Sequence, residues 1–142
     1  MLIASTTLVI ISTALVPLVV ACNTSVLFKT IMAQNFIGYS NQLTTGATST
    51  IFTANTTDAV IGIRMANITA AAVTVDVWVN VAGAAIRYIV KGLSIPPASS
   101  VELVQGGAKF VLNSTDVLQA TTSGTNAVDM ITSVVDAIST AP

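Results

Sequence analysis

The sequence predicts an all-β protein, an antiparallel β-sandwich or jelly roll of about eight short strands preceded by an apolar N-terminal arm. The clearest strand is VTVDVWVN, in which valines alternate with Thr74, Asp76 and Trp78. Because side chains alternate between the two faces of a strand, one face of this strand is aliphatic and is predicted to be buried. Turn-forming residues recur about every 8–12 residues along the rest of the chain, which is typical of a sandwich or barrel.

The chain has 142 residues, which suits one domain with an extension. Met1–Phe28 contains no charged residue, and the first basic residue is Lys29. From Met32 onward the sequence is typical of a β domain. We therefore divide the chain into an apolar N-terminal extension, residues 1–31, and a β-sandwich domain, residues 32–142.

Three interpretations of Met1–Phe28 compete. A lipoprotein signal is suggested by the small residues before Cys22, which would then be lipidated, but a signal peptide should open with a basic segment. A membrane or filament-core helix is disfavoured by Pro17 and by the many β-branched residues. We favour an extended arm that docks on neighbouring subunits, because an apolar segment is stable in water only when it is covered. The arm residues expected at interfaces are Leu8, Val9, Ile10, Ile11, Val19 and Val20.

Apolar runs between turns place the strands of the domain. Gln34–Ser49 is polar and contains two glycines, so it is predicted to be a loop or a short edge strand. The last run could form a helix, but its residues alternate as in a strand, which we prefer. Strands are predicted at residues 50–54, 59–66, 73–80, 85–90 with a continuation at 92–95, 101–104, 109–112, 117–121 and 127–135.

Glycine and proline refine this assignment. Gly62 lies inside a strand and predicts a bulge or a close backbone approach. The two prolines at 96–97 require a loop, since proline donates no ladder hydrogen bond. The Gln-Gly-Gly sequence at 105–107 predicts a tight turn with positive φ, which would join residues 101–104 and 109–112 as a hairpin.

Composition excludes several classes of function. The chain is 53% hydrophobic and 8% charged, whereas soluble domains carry about a quarter charged residues, so we expect other subunits to cover much of the surface. A net charge of −1 gives no electrostatic footprint for nucleic acid. Histidine is absent and there is one cysteine, so the commonest general base and an internal disulfide are missing. We predict a protein that is not an enzyme and needs no cofactor or metal ion.

Few side chains are candidates for a site. Trp78, the only tryptophan, is predicted either to be buried by a second layer or to be an anchor at a subunit interface. Arg64, Arg87 and Lys91 could form a patch for an acidic partner, but isolated solvated charges are the preferred interpretation. Four aspartates lack the spacing of a calcium loop, and turn or surface roles are expected for them. They are Asp58, Asp116, Asp129 and Asp136.

Longer stretches carry a family resemblance. These are MAQNFIG, TSTIFTANTTDAVIGIRMANITAAAVTVDVWVN, YIVKGLSIPPASSVELVQGGAKFVLNSTDVLQATTS and NAVDMITSVVDA. Over residues 32–139 the chain resembles small all-β virion structural proteins of tailed bacteriophages, especially those of marine cyanobacteria. Residues 1–31 have no counterpart in that pattern.

The resemblance implies a structural component of a virus particle, either a capsid decoration or cement protein or a subunit of the neck or tail. The implied partners are the major capsid protein or neck and tail subunits, and copies of the chain itself in a homo-oligomer, expected to be a trimer. The location would be the virion, with no nucleic acid or membrane partner. The alternatives are a receptor- or glycan-binding virion subunit and a membrane-tethered or filament-forming protein of a bacterial cell surface.

Overall fold

Nine β-strands make up the part of the chain that the computed structural model describes, residues 35–105 and 107–136, and these residues contain no helix. The strands are β1 (Asn35–Leu43), β2 (Ser49–Thr53), β3 (Asp58–Asn67), β4 (Val73–Val81), β5 (Ala85–Ile95), β6 (Ser100–Glu102), β7 (Phe110–Leu112), β8 (Val117–Thr122) and β9 (Val128–Asp136). The predicted all-β class is confirmed. The predicted arm, with Leu8, Val9, Ile10, Ile11, Val19, Val20 and Cys22, lies outside the described residues.

The strand pairs are nested, so that strands near the two ends of the domain pair with each other and strands near its middle pair with each other. From the ends of the chain inward, β1 pairs with β9, β2 with β8, β3 with both β7 and β6, and β4 with β5, all antiparallel. Further pairing of β3 with β9 and of β4 with β8 assembles a first sheet, β1-β9-β3-β6/β7, and a second sheet, β2-β8-β4-β5. This nested pairing across two sheets is the jelly-roll form of the predicted sandwich.

The core lies between the inner faces of the two sheets. The valines that alternate along β4 are buried there, as predicted, and Trp78 lies on the opposite face of the same strand. The first sheet supplies longer side chains, among them Ile63, Met65 and Met130, which are fully buried. The rings of Tyr39 on β1 and Phe52 on β2 stack with their centroids 4.9 Å apart and so join the two sheets at one corner. Aliphatic burial on this scale is the main stabilising contribution to the fold.

The predicted hairpin between residues 101–104 and 109–112 is wrong. Ser100–Glu102 pairs with one end of β3 and Phe110–Leu112 with the other, so β6 and β7 are two pieces of one interrupted edge strand. β3 has ten residues and pairs with β9 along one edge, so its other edge is long enough to pair with both pieces. The glycine turn between them does form, since Gly107 has a φ of 84° and the Ala108 N–H donates to the Gln105 carbonyl. It connects the two pieces without pairing them.

Other local predictions are confirmed. The register of β3 against β9 shifts between Val60 and Gly62, which is the bulge expected there. The last run is a strand, β9, and residues 96–99 form a loop. The segment 34–49, by contrast, contributes a nine-residue strand, β1, which is an edge strand but not a short one. Its sequence alternates only weakly in polarity, since the inner face holds Asn41 as well as Ile37, Tyr39 and Leu43, and this left no clear strand pattern.

Candidate subunit-contact surfaces

Exposed apolar side chains gather on the hairpin formed by β4 and β5. We call Val81, Ile86, Tyr88 and Ile89 the hairpin patch, and their exposed fractions run from 36% to 52%. Tyr88 pairs with Trp78 and Ile86 with Asn80 in the β4–β5 register, which places Ile86 and Tyr88 on the outer face of the second sheet. The core is behind this sheet, so nothing in the described residues covers Ile86 and Tyr88. Val81 follows the inward-facing valines of β4 and is 37% exposed at the end of the hairpin.

Trp78 packs against Tyr88, one member of the hairpin patch. Its ring lies 5.9 Å from the Tyr88 ring at an angle of 53°, and its Nε1–H donates to Gln119 Oε1 at 3.0 Å. Lys91 Nζ lies over the Tyr88 ring, 4.6 Å from its centroid. Trp78 itself is only 8% exposed. Trp78 therefore contacts Tyr88 and Gln119 on its own sheet and is nearly buried. Tyr88, which is 48% exposed, is the aromatic ring at the surface here.

The turn of this hairpin is fixed by a buried carboxylate. Ala82 and Gly83 have φ of 46° and 70°, and the Ala84 N–H donates to the Val81 carbonyl, as in a type I′ hairpin turn. Asp116 Oδ1 accepts from the Ala82 N–H at 3.0 Å, and its Oδ2 accepts from the Asn113 N–H at 2.9 Å. Asp116 thus ties the hairpin turn to the β7–β8 turn, a turn role of the kind predicted for it.

A second apolar surface crosses the outer face of the first sheet. Phe36, Val135, Ala59 and Val111 occupy one row, because each is paired with the next in the registers of β1, β9, β3 and β7. Phe36 is 68% exposed, and the row is followed by the small residues Gly38, Ser133 and Gly62 and then by exposed Ile131. The outer face at this end of the sheet is therefore apolar or small over two rows, and Arg64 is the charged residue paired with Ile131.

The basic residues do not form a patch. Arg64 is on β3 in the first sheet, and its Nη2 donates to Ser100 Oγ at 3.4 Å, whereas Arg87 and Lys91 are on β5 in the second sheet. Arg87 donates to the Ile86 carbonyl and Lys91 lies over Tyr88. Separate surface charges, the preferred interpretation, fit this arrangement.

Two aspartates far apart in the sequence meet at the end of the first sheet. Asp58 and Asp136 are directly paired in the β3–β9 register, and Thr56 Oγ1 lies 3.3 Å from Asp58 Oδ1 and 3.1 Å from Asp136 Oδ1. Burial raises the pKa of Asp58 above its ordinary value. Asp136 raises it further, through a side-chain hydrogen bond and through its negative charge. The sequence contained no signal for this pair, since 77 residues separate its members. The described residues contain no group of three or more potential metal-ligating side chains.

A shallow groove on the second sheet is lined by Thr74, Asp76, Thr121, Thr122 and Ser123. Several of its polar side-chain atoms are hydrogen-bonded within the fold. Asp76 Oδ1 accepts from the Gly92 N–H at 2.6 Å, Ser123 Oγ accepts from the Thr74 N–H, and Thr122 Oγ1 donates to the Thr74 carbonyl. A groove with these hydrogen bonds already used is a poor site for a sugar, which is recognised by free donors and acceptors.

Comparison with known proteins gives structural neighbours only. No family model matches the chain, and no curated protein is significantly similar to it. A pentameric capsid protein isolated from metagenomic phage sequences is similar over 72% of this chain and 61% of its own, with 20% identity and a TM-score of 0.44. A second structure with that description, solved by iodide phasing, gives the same identity and TM-score and 62% coverage of its chain.

The structure of infectious bursal disease virus, Gx strain, matches 78% of this chain and 33% of its own, with 14% identity and a TM-score of 0.44. The first two neighbours are described as capsid proteins, and the third is described as the structure of a virus. The chain spans about three fifths of the length of the first two neighbours and a third of the other.

Proposed function

We propose that this chain is a non-enzymatic structural subunit of a virus particle, located in the virion and held there by contacts with copies of itself and with other virion proteins. The observation that carries the proposal is the hairpin patch, four exposed apolar side chains on a hairpin whose type I′ turn is hydrogen-bonded to a buried carboxylate. An exposed apolar patch is typical of a protein interface. The virion setting is supported by the sequence resemblance described above.

The finer assignment follows that resemblance. We propose that the chain decorates or cements the capsid of a tailed bacteriophage, that its partner is the major capsid protein, and that its own copies form a trimer. A position at the neck or tail, with subunits of those structures as partners, is the alternative. Particles that lack this gene product, imaged by electron microscopy, would lose density where the subunit is attached. Particles with unchanged density would refute the virion role.

Self-association can be tested on the full-length chain by sedimentation. Ile86 in the hairpin patch and Ile68 in the β3–β4 turn are both 52% exposed, which makes them a matched pair. We expect Ile86→Lys to weaken self-association by at least about tenfold, because a charge would be buried at the contact. Ile68→Lys should leave it unchanged. Equal effects of the two substitutions, or none, would exclude the hairpin patch as the contact surface.

The remaining alternatives predict different results. A membrane-tethered or filament-forming surface protein predicts lipidation at Cys22 and loss of residues 1–21, which the intact mass of the native protein would reveal. A full-length mass from purified particles would exclude that processing. No helix in the described residues is long and apolar enough to cross a membrane. A receptor- or glycan-binding subunit predicts binding to a glycan array that substitution of Asp76 abolishes.

A further inference from the structure

The edges of the two sheets differ in how well they are protected from another strand. β5 is long, but its register against β4 shifts twice, Gly92 in it has a φ of 67°, and it carries Arg87 and Lys91. β2 has five residues and a register shift, and β6 and β7 are interrupted fragments. Bulges, charges and short length are the features that keep an edge strand from pairing with another chain.

β1 has none of these features. All nine of its residues pair with β9 without a register shift, and its sequence, NFIGYSNQL, contains neither charge nor proline. In the described residues it pairs with no strand except β9, so its outer edge presents unpaired backbone N–H and C=O groups. At roughly 3.4 Å per residue this edge is about 30 Å long.

The side chains along β1 define what an added strand would contact. Phe36 lies on the outer face of the first sheet, and Ile37 and Tyr39 lie on the inner face, half-buried. A strand placed beside β1 would therefore meet apolar groups on both of its faces. Strands buried on both faces are apolar at successive positions and not only at alternate ones.

One segment of the chain has this composition. Met1–Phe28 contains no charge, and Leu8–Ile11 is apolar at four successive positions, three of them β-branched. We propose that the free edge of β1 accepts the Met1–Phe28 arm of a second copy of this chain by strand addition. The proposal rests on the self-association put forward above and names the segment and the strand that join the copies.

The connection between arm and domain favours a second copy over the arm of the same copy. A tight hairpin directly between the arm and its own β1 would have its turn in residues 29–34, and these residues, KTIMAQ, contain no glycine, proline, asparagine or aspartate. Those residues are the ones that tight hairpin turns need. At full extension Met1–Phe28 would cover about 90 Å, three times the length of the β1 edge, which is enough to reach a neighbouring domain.

The test is cross-linking of the full-length protein. Unlabelled and ¹⁵N-labelled chains that carry p-benzoylphenylalanine at the position of Ile10 are mixed while unfolded, assembled and irradiated, and cross-linked peptides are identified by mass. We expect peptides that join position 10 to residues 35–43, with one light and one heavy partner in the proportion that random mixing gives. Cross-links found only within light or only within heavy chains would show that the arm folds back on its own domain, and cross-links away from β1 would place it elsewhere. Either result overturns the proposal.

A matched pair of substitutions tests the edge itself. Ser40 on β1 and Ser94 on β5 are exposed serines on edge strands of the two sheets. We expect Ser40→Lys to lower the yield of the mixed cross-link by about tenfold and Ser94→Lys to leave it unchanged, because lysine on an edge opposes strand addition. Equal yields from both would overturn the assignment to β1. Sedimentation of the same samples separates the two proposals, since a monomeric chain refutes both, whereas an oligomer without arm-to-β1 cross-links refutes only this one.

Discussion

Replacement of Asn67, a buried polar residue at the end of β3, should destabilise the domain strongly. Asn67 ends β3 with a side chain that is 2% exposed. Its Nδ2 lies 2.8 Å from the Ala71 carbonyl oxygen and 3.0 Å from the carbonyl oxygens of Ile95 and Pro96, and its Oδ1 accepts from the Thr69 N–H and hydroxyl at 2.9 and 2.8 Å. One amide thus joins the β3–β4 turn to the end of β5.

The magnitude follows from these contacts. Asn67→Ala leaves the Ile95 carbonyl oxygen buried without this donor, which costs about 1–3 kcal/mol, and the partly exposed bonds contribute roughly 0.5 kcal/mol each. We therefore expect a loss of about 3–5 kcal/mol in the free energy of unfolding, a large part of the 5–15 kcal/mol typical of a domain. Asn67→Asp should cost at least as much, because its carboxylate would place an acceptor against three carbonyl oxygens.

Urea unfolding of the full-length chain, followed by Trp78 fluorescence, measures this loss. Asn80→Ala, at a half-buried asparagine on the outer face of β4, is the control and should change the free energy by less than about 0.5 kcal/mol. A loss below about 1 kcal/mol for Asn67→Ala would refute the role assigned to this amide. The buried Nδ2 also predicts that the Asn67-Ile68-Thr69 sequon carries no glycan, since the glycan would be attached to that nitrogen.

Two further predictions concern buried polar groups. Thr132 is fully buried, and its hydroxyl has no hydrogen-bond partner in the described part of the chain, so Thr132→Val should raise the free energy of unfolding by about 1 kcal/mol. Thr122→Val is the matched control and should lower it by about 1 kcal/mol, because the Thr122 hydroxyl donates to the Thr74 carbonyl at 3.1 Å. The pKa of Asp58 is raised in the folded state, so the native protein binds this proton more tightly than the unfolded chain, and stability is lost as the pH rises through the folded-state pKa. Urea unfolding between about pH 4 and pH 7 should therefore show wild type losing stability relative to Asp58→Asn.

These two predictions have clear contrary outcomes. Equal effects of the two threonine substitutions would mean that side-chain shape, and not the hydroxyl, determines stability at these positions. A difference between wild type and Asp58→Asn that is constant with pH, or that grows in favour of wild type, would mean that the pKa of Asp58 is not raised in the folded state.

Much of the fold could be predicted because it depends on local patterns. The alternation along β4 identified its buried valines and placed Trp78 on the other face, and Gly62 indicated the bulge in β3. Both signals arise within one strand, since the side-chain period of two is a property of the extended backbone. The loop at 96–99 was predicted for the same reason, from two prolines that restrict the backbone and donate no hydrogen bond.

Contacts between distant segments were decided by the tertiary structure. The glycine turn at 105–107 favoured a local hairpin between the strands on either side of it. Instead, β6 and β7 each pair with a different end of β3. The pairing of Asp58 with Asp136, the enclosure of the Asn67 amide by the β5 end and the gathering of the hairpin patch have no sequence signal, because each depends on how the two sheets are stacked. The sequence by itself determined which residues form strands and which strand faces are apolar. Only the assembled jelly roll determined which faces and edges remain uncovered, because exposure is a property of packing between elements and not of any one of them.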